Sequence, residues 1–512
     1  MAARKFSLLM GASISGILLG WGAHASAQST AEGALYPADI VAPLRVVETQ
    51  DANAGSGLSA PSILPSPAAV RANPQLAAAL GPAAFVLNAS SGGEKFRAQI
   101  RRAVGRHPAY HRQVSTLDET RAGARRARSA LYPQLSAQVT GDYVLTRDFA
   151  TGTDNVVESL RPREQFKAGV SASQLIFDGG ATFQRIKSAR ARHSEFKNSI
   201  STRINNLSFT ALGAYHDLLT QQALLALGEA FIRRHEKILS DVKERERLGA
   251  SARADIMRTV GRLAAARARV AQIREAERLA EIRYEEFFAE KPGALTRPSF
   301  DTVVVKSREQ AATAAIQNNP EIAVATARAD ASRAEYKAAK GARLPEVRVS
   351  VNATKFDVFD SGNDFDVRAG LNLNYDIFGG GARAADIAQA SSRARQAKFG
   401  EDQARREIAR DAAIAFERRE GAAARLDALE AAIIANDQSR ELILERYRVA
   451  RGGLIDVLQA ENDYFESGVA YLVGLANRDM ATYALMEHTG DLLRFFSPMN
   501  EYADVISEGV DG

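Results

Sequence analysis

The chain has 512 residues, 46% hydrophobic and 7% aromatic, and carries a formal net charge of +5 in which acidic and basic residues are interleaved. Its 0 cysteines exclude a disulfide scaffold, a thiolate metal site and a cysteine nucleophile. Arginine pairs such as Arg101-Arg102, Arg125-Arg126 and Arg405-Arg406 lie in helical patterns with no interleaved aromatics, so they read as solvated helix faces and no nucleic-acid partner is expected.

Residues 1–27 read as an export signal, with Arg4 and Lys5 before an apolar stretch from Phe6 to Trp21 and the cleavage pattern Ala25-Ser26-Ala27. Its removal leaves a charge of +3 and no cysteine for a lipid anchor. No later stretch approaches the about 20 apolar residues of a membrane-spanning helix, so entry into a membrane requires strands. Residues 28–92, rich in Ala, Pro, Ser and Gly ("GSGLSAPSILPSPAAV"), read as a disordered extension.

From residue 93 the chain repeats itself. Pro108 and Pro320 are 212 apart, as are Pro133 in "LYPQLSAQV" and Pro345 in "RLPEVRVSV". Further on, Phe177-Asp178-Gly179-Gly180 matches Phe378-Gly379-Gly380-Gly381 at an offset of 201, and Asp255 matches Asp456 at the same offset. The first hairpin loop is therefore 11 residues longer than the second, and one unit has been duplicated: a first repeat over 93–290, a connector over 291–306, a second repeat over 307–490 and a polar tail over 491–512.

Each unit is expected to run helix, strand, strand, very long helix, helix. The opening helices cover 95–130 and 307–342 and end at the helix-strand junctions Pro133 and Pro345, because a residue before proline is pushed out of the helical region. Strands follow over 134–148 and 165–178, and over 346–359 and 365–378. Their apolar residues alternate, as in Phe365, Val367, Ala369, Leu371, Leu373 and Tyr375, which is the period of a strand with one polar face. Gly179 and Gly180, and then Gly379, Gly380 and Gly381, release each strand into a long helix at the strand-helix junctions.

The first long helix shows a seam of Ile204, Ala211, Leu218, Leu225, Ile232 and Leu239 at intervals of seven, with Ile200, Leu207 and Ala214 between. In the second, Ile408, Ala412, Ala415, Ala422, Leu426, Leu429 and Ile433 fit the seam, while Arg419 and Asn436 do not. Helices of roughly 65–70 residues are about 100 Å long, too long for a globular core. Returning helices over 253–288 and 453–488 complete antiparallel coiled coils. Four amphipathic strands suit a membrane barrel, yet four cannot close, so several chains must share one barrel.

The junctions "SQLIFDGG" and "NYDIFGGG", the segment "ERYRVARGGLIDVLQAENDYFESGVAYLVGLANRDMATYALMEHTGDLL" and the duplication together resemble the TolC-type outer-membrane channel-tunnels of efflux pumps and type I secretion systems. The resemblance covers about 93–493. It implies a mixed α and β fold: a homotrimer whose twelve-stranded β-barrel in outer-membrane lipid continues as a long α-helical coiled-coil tunnel in the periplasm. It also implies a periplasmic adaptor (membrane fusion) protein and an inner-membrane ABC or RND-type transporter as partners. Carried over onto this chain, it places Asp456 in an acidic ring at the periplasmic aperture, and Asp255 and Tyr447 in links that hold helical pairs shut. Gln459 stands where a second acidic position is expected, and Gly452, beside Arg451, stands where a basic link residue is expected. Asp255 and Asp456 also suit a helix N-terminus, where the dipole favours a carboxylate.

No enzyme or cofactor is expected. The 7 histidines form no HExxH or paired-ligand spacing, and His107, His111, His193, His216 and His235 read as surface residues scattered on helices. Gly379-Gly380-Gly381 lacks the spacing and lysine of a phosphate loop. The alternative to an exit channel is a non-channel periplasmic coiled-coil spacer or adaptor.

Overall fold

The computed structural model describes residues 73–88, 93–146, 163–293, 295–298, 305–356, 358–359 and 364–496. The expected export signal, residues 28–72, most of both hairpin tips and residues 497–512 lie outside the described residues.

Two short helices come first, α1 (Pro74–Leu80) and α2 (Pro82–Asn88). The first repeat follows as α3 (Gly93–Arg106), α4 (Pro108–Ser129), β1 (Gln134–Tyr143), β2 (Glu164–Phe177), α5 (Ala181–Arg247) and α6 (Arg253–Phe288). The second follows as α7 (Arg308–Asn318), α8 (Pro320–Gly341), β3 (Glu346–Lys355), β4 (Phe365–Asn374), α9 (Ala382–Arg448) and α10 (Leu454–Thr489), with α11 (Asp491–Phe496) after it. The strands form one antiparallel sheet in the order β1-β2-β3-β4, so β2 and β3 join the repeats and β1 and β4 are its edges. α5 and α9 each have 67 residues and run on from the sheet.

Each opening helix is broken by proline rather than continuous. His107 and Asn319 adopt extended backbone (ψ 130° and 123°) ahead of Pro108 and Pro320. Each caps the helix it opens: His107 Nδ1 accepts from the Ala109 N–H at 3.1 Å, and Asn319 Oδ1 accepts from the Glu321 N–H at 2.9 Å. β4 ends at Asn374, short of the expected 378, because Asn374 pairs with Glu346 and the next partner would be Pro345. β1 and β3 likewise stop at Tyr143 and Lys355.

The stretch from 74 to 88 is not disordered. Asn73 Oδ1 accepts from the N–H groups of Gln75 and Leu76, and Leu76, Leu80, Ala83 and Leu87 join a core with Leu227 and Phe231 of α5, Leu426 and Ile433 of α9, and Phe465 of α10. The Tyr464 hydroxyl donates to the Ala79 carbonyl at 2.6 Å. α1 and α2 therefore bridge both coiled coils. Leu492 and Phe496 of α11, inside the expected polar tail, are buried against Phe96 and Tyr215.

The α5 seam holds through Ile200, Ile204, Leu207, Ala211 and Leu218, all buried. Beyond it the buried stripe runs through Leu224, Leu227, Phe231, Ile238 and Val242, leaving Leu225, Ile232 and Leu239 at its margin. A straight helix drifts from a strict seven-residue repeat, and at this level α5 meets α6, α10 and α2 together. Arg419 of α9, which does not fit the seam, is nevertheless buried, with its guanidinium 4.9 Å from the Phe416 ring centroid.

His216 and His235 are buried, contrary to the surface reading. His235 lies 3.1 Å from the Phe231 carbonyl oxygen, and His216 Nε2 lies 3.0 Å from the Tyr483 hydroxyl. Beside His216, Arg297 from the connector donates twice to Asp479 at 2.8 and 2.9 Å, and Arg478 donates to the same carboxylate at 2.7 Å. Burial lowers the His216 pKa to about 4, with Arg297 and Arg478 acting in the same direction and Asp479 opposing them. Neutral His216 thus contributes stability that is present above pH 6.5 and lost as pH falls toward about 4. The loss is on the order of 3 kcal/mol. Glu487, raised to about 7 by burial and then by Glu321, acts with the opposite sign, favouring the fold below pH 4.5 and losing that contribution as pH rises through about 7. Urea unfolding followed across this range should show that His216→Gln flattens the acid limb relative to the parent chain. An unchanged acid limb would mean that His216 is protonated in the folded state.

Candidate functional site

The sheet sorts its residues by face along its middle, with Glu164, Gln174 and Lys355 as polar exceptions at the ends of the apolar side. The register places Leu135, Ala137 and Val139 of β1 beside Ala172, Val170 and Ala168 of β2, then Val351 and Ala353 of β3, then Ala369 and Val367 of β4. Val349 and Val347 continue the same face opposite Leu371 and Leu373. The other face carries Gln138, Lys167, Arg348, Arg368 and Asn372, tied by hydrogen bonds such as Asn372 Nδ2 to Ser350 Oγ at 3.0 Å. The apolar face is bare: Leu135, Leu371 and Leu373 are 73, 69 and 66% exposed. Open surface of this kind marks contact with another apolar phase.

Pro133 and Pro345 stand immediately before β1 and β3. At the opposite junctions Gly179 and Gly180 have φ 66° and 78°, and Gly380 and Gly381 have φ 61° and 86°, the left-handed region that side chains avoid. Gly179 has a second requirement, because a Cβ there would lie 2.3 Å from the Gly341 carbonyl oxygen. Asp178 accepts from the Thr182 N–H at 2.6 Å and caps α5, a role that Gly379 cannot reproduce for α9.

At the far end of the long helices, the two turns use one bond pattern. The Ala250 N–H donates to the Arg245 carbonyl at 2.7 Å and the Gly249 N–H to the Glu246 carbonyl at 2.9 Å. The Arg451 N–H donates to the Arg446 carbonyl at 2.8 Å and the Ala450 N–H to the Tyr447 carbonyl at 3.1 Å. Both are glycine-type helix stops with a left-handed residue at the same position, Gly249 (φ 73°) and Ala450 (φ 58°). Asp456 Oδ2 accepts from the Gly453 N–H at 3.2 Å, the carboxylate half of a capping box. Asp255 accepts from Ser251 Oγ at 3.0 Å and pairs with Arg258 at 3.3 Å. Tyr447 is buried, Arg451 and Asp456 are exposed, and Arg446, Gly452, Asp456 and Asp463 line a groove of about 290 Å³.

The two hairpins are fastened here by a residue that the sequence pattern does not single out. Arg245 of α5 donates to the carbonyls of Tyr447 and Arg448, at 3.0 Å each, and its guanidinium lies 4.3 Å from the Tyr447 ring centroid. It neutralises the carbonyl end of α9 from a neighbouring helix. Burial raises the Tyr447 pKa, with Arg245 opposing and Asp255 adding to the rise. Asp255, Tyr447 and Arg245 thus form one electrostatic cluster, while Asp456 and Arg451 belong to the adjoining turn. The available signal was a basic residue in the last turn of both long helices, Arg245 and Arg446, at the repeat spacing of 201.

A family model described as outer membrane efflux protein matches residues 100–284 and 311–491. The chain belongs to the outer membrane efflux protein family. The protein therefore resides in the outer membrane, extends into the periplasm and is not an enzyme. It is 25% identical over 390 residues to the outer membrane efflux protein BepC of Brucella suis, covering 74% of this chain and 83% of that protein. Protein CyaE of Bordetella pertussis is 24% identical over 380 residues, covering 72% and 78%. The CmeC outer membrane channel of Campylobacter jejuni superposes with a TM-score of 0.69 at 12% identity, over 91% of this chain and 98% of that one. The duplicated strand-helix unit is thus the fold of this efflux protein family.

Ala450 holds the left-handed position that glycine fills in the first repeat, a conformation costing an L-residue about 1 kcal/mol or more. Ala450→Gly should therefore raise the stability of the turn by about 1 kcal/mol, and Gly249→Ala should lower it by a similar amount. Thermal unfolding of the two variants should shift in opposite directions.

Proposed function

We propose that three chains close their sheets into a twelve-stranded barrel with the apolar face toward lipid, and their helices into a twelve-helix periplasmic tunnel. The assembly is the exit channel of a tripartite efflux or type I secretion system. It receives cargo from an inner-membrane ABC or RND-type transporter through a periplasmic adaptor (membrane fusion) protein. The observation that carries this reading is the sheet itself, with one bare face that is apolar along its middle and open edges at β1 and β4. Lipid accepts the face but not the edges, so β4 of one chain must pair with β1 of the next.

The helices support the same closure. α5 is packed on both flanks, while α9, of equal length, is packed on one. Leu219 and Leu224 of α5 are buried, whereas their equivalents Glu420 and Arg425 are exposed. A neighbouring α4 and α6 would give α9 its second flank. The ring has a heterologous interface that closes at three copies.

Charge on the lipid face should cost about 2–4 kcal/mol near the bilayer midplane. Leu371→Arg should sharply reduce the heat-resistant trimer extracted from outer membranes, while Asn372→Arg, on the lumen face, leaves it intact. A soluble, elongated single chain in place of the trimer would sink the channel reading.

The aperture lies at the helical tips, where three copies of Asp456, with Asp255, Tyr447 and Arg451 nearby, form the constriction. Like charges brought together there attract cations. Asp456→Asn keeps the acceptor for Gly453 and removes the charge. In planar bilayers it should therefore lower cation selectivity and weaken block by multivalent cations added on the periplasmic side. Identical selectivity and block in both proteins would make Asp456 a helix-start residue alone.

A further inference from the structure

The duplicated unit does not account for α1 and α2, which lie across both of its copies. α1 packs on α9 and α2 on α5, and α10 is packed between those two long helices. Gly81 allows this arrangement. Its φ of 53° and ψ of −126° turn the chain through backbone that favours glycine, and its N–H donates to the Ala77 and Ala78 carbonyls at 3.2 Å each. α1 is fastened at both ends: Asn73 Nδ2 donates to Glu430 Oε1 of α9 at 2.7 Å, and the Ala79 carbonyl accepts from Tyr464 of α10. Leu76 and Leu80 are fully buried between these bonds. Next to Tyr464 the hairpins meet through a polar lock. Arg234 of α5 donates to Glu461 of α10 and to Glu441 of α9 at 2.8 Å each, and the Arg440 guanidinium lies 3.8 Å from the Tyr464 ring centroid. The lock is incompletely satisfied: the buried Glu461 Oε2 and Arg440 Nε accept and donate no hydrogen bond among the described residues. Water would satisfy both atoms, so this layer gains solvation when it parts and stays shut under a dry cover.

We propose that α1 and α2 form a strap that holds the α9–α10 hairpin against α5 and keeps the aperture at the tips shut, a role that rests on the channel reading above. Leu227, in the core that the strap completes, stands about 30 Å along α5 from the helix end at Arg247. Between strap and tips the hairpins are joined by the small cluster of Ile238, Val242, Leu444 and Val457, and then by Arg245. Helices are stiff on this length scale, so a parting of the tips is carried up to the strapped layer. A strap that holds there keeps the tips together; a strap that lifts admits water to the polar lock and lets them separate.

Planar-bilayer recordings of the full-length, detergent-extracted protein test the strap. Leu80→Asp places a carboxylate in its dry contact and should raise the fraction of time open by about tenfold, with the yield of heat-resistant trimer unchanged. Asn73→Cys combined with Glu430→Cys, in a chain with 0 cysteines of its own, allows a short cleavable bis-maleimide to fix α1 on α9. The cross-linked protein should open less often than the parent, and cutting the linker with reductant should restore the openings. Where Leu80→Asp does not assemble, the cross-linked protein before and after reduction decides by the same measure. Pores whose open fraction ignores both the substitution and the cross-link overturn the strap and leave the channel reading standing. A parent chain that gives neither trimer nor pore overturns both.

Discussion

An antiparallel sheet of four strands has two edges, and each edge presents backbone N–H and C=O groups that something must satisfy. In water, solvent satisfies them; in hydrocarbon, each unmet group costs several kcal/mol. The sheet of this efflux family member combines open edges at β1 and β4 with a face whose middle is built of Leu, Val and Ala and suits an apolar phase. The face directs the sheet into lipid, and the edges forbid it to remain there alone. The rest of the molecule is built around that conflict, because the helices continue directly from the strands and must keep the same order around any closed ring.

Duplication supplies the geometry, and divergence between the copies records position. α5 and α10 are surrounded on several sides and are accordingly apolar, whereas α9 and α6 lie at the flanks of the chain and carry more charge. At the middle of the long helices the two copies are locked by polar groups rather than by apolar packing alone. Arg297 and Arg478 hold Asp479 well below the usual carboxylate range, and Glu461, 1% exposed, accepts from Arg234 at 2.8 Å. Breaking such a pair strands a buried charge, so these contacts fix the register of α10 against its neighbours more than they add net stability.

The strands, both junctions and the long helices were legible in the sequence because each rests on short-range physics. Alternation sets the sheet faces, proline stops a helix, and paired glycines permit left-handed backbone. The rule applied at Pro133 and Pro345 applies equally at Pro108 and Pro320, where the breaks in the opening helices went unread because the helical composition continues on both sides. The docked helices from 74 to 88 were not legible, since their only partners are residues of α5, α9 and α10 distant in sequence. His216 and His235 failed for the same reason: a histidine in a polar context along the chain is buried by helices that arrive later. At the tips, Asp255, Tyr447 and Asp456 lie in the helix ends on either side of the turns, and Arg245, which joins the hairpins, acts through backbone carbonyls that no side-chain motif reveals.

The two strand-helix junctions also differ mechanically. Gly179 lies so close to Gly341 that neither position has room for a Cβ, while a Cβ added at Gly380 or Gly381 would meet nothing within 4 Å. α5 is thus a clamped beam, unable to tilt at its root without separating two backbones in contact. α9 is a pinned beam of the same 67-residue length, tethered across its three glycines by the flexible Arg383 side chain, which donates to the Ala342 carbonyl and pairs with Asp376. A pinned beam transmits force but little bending moment, so a lateral load applied at the tips is resisted by α5 and relieved by rotation of α9.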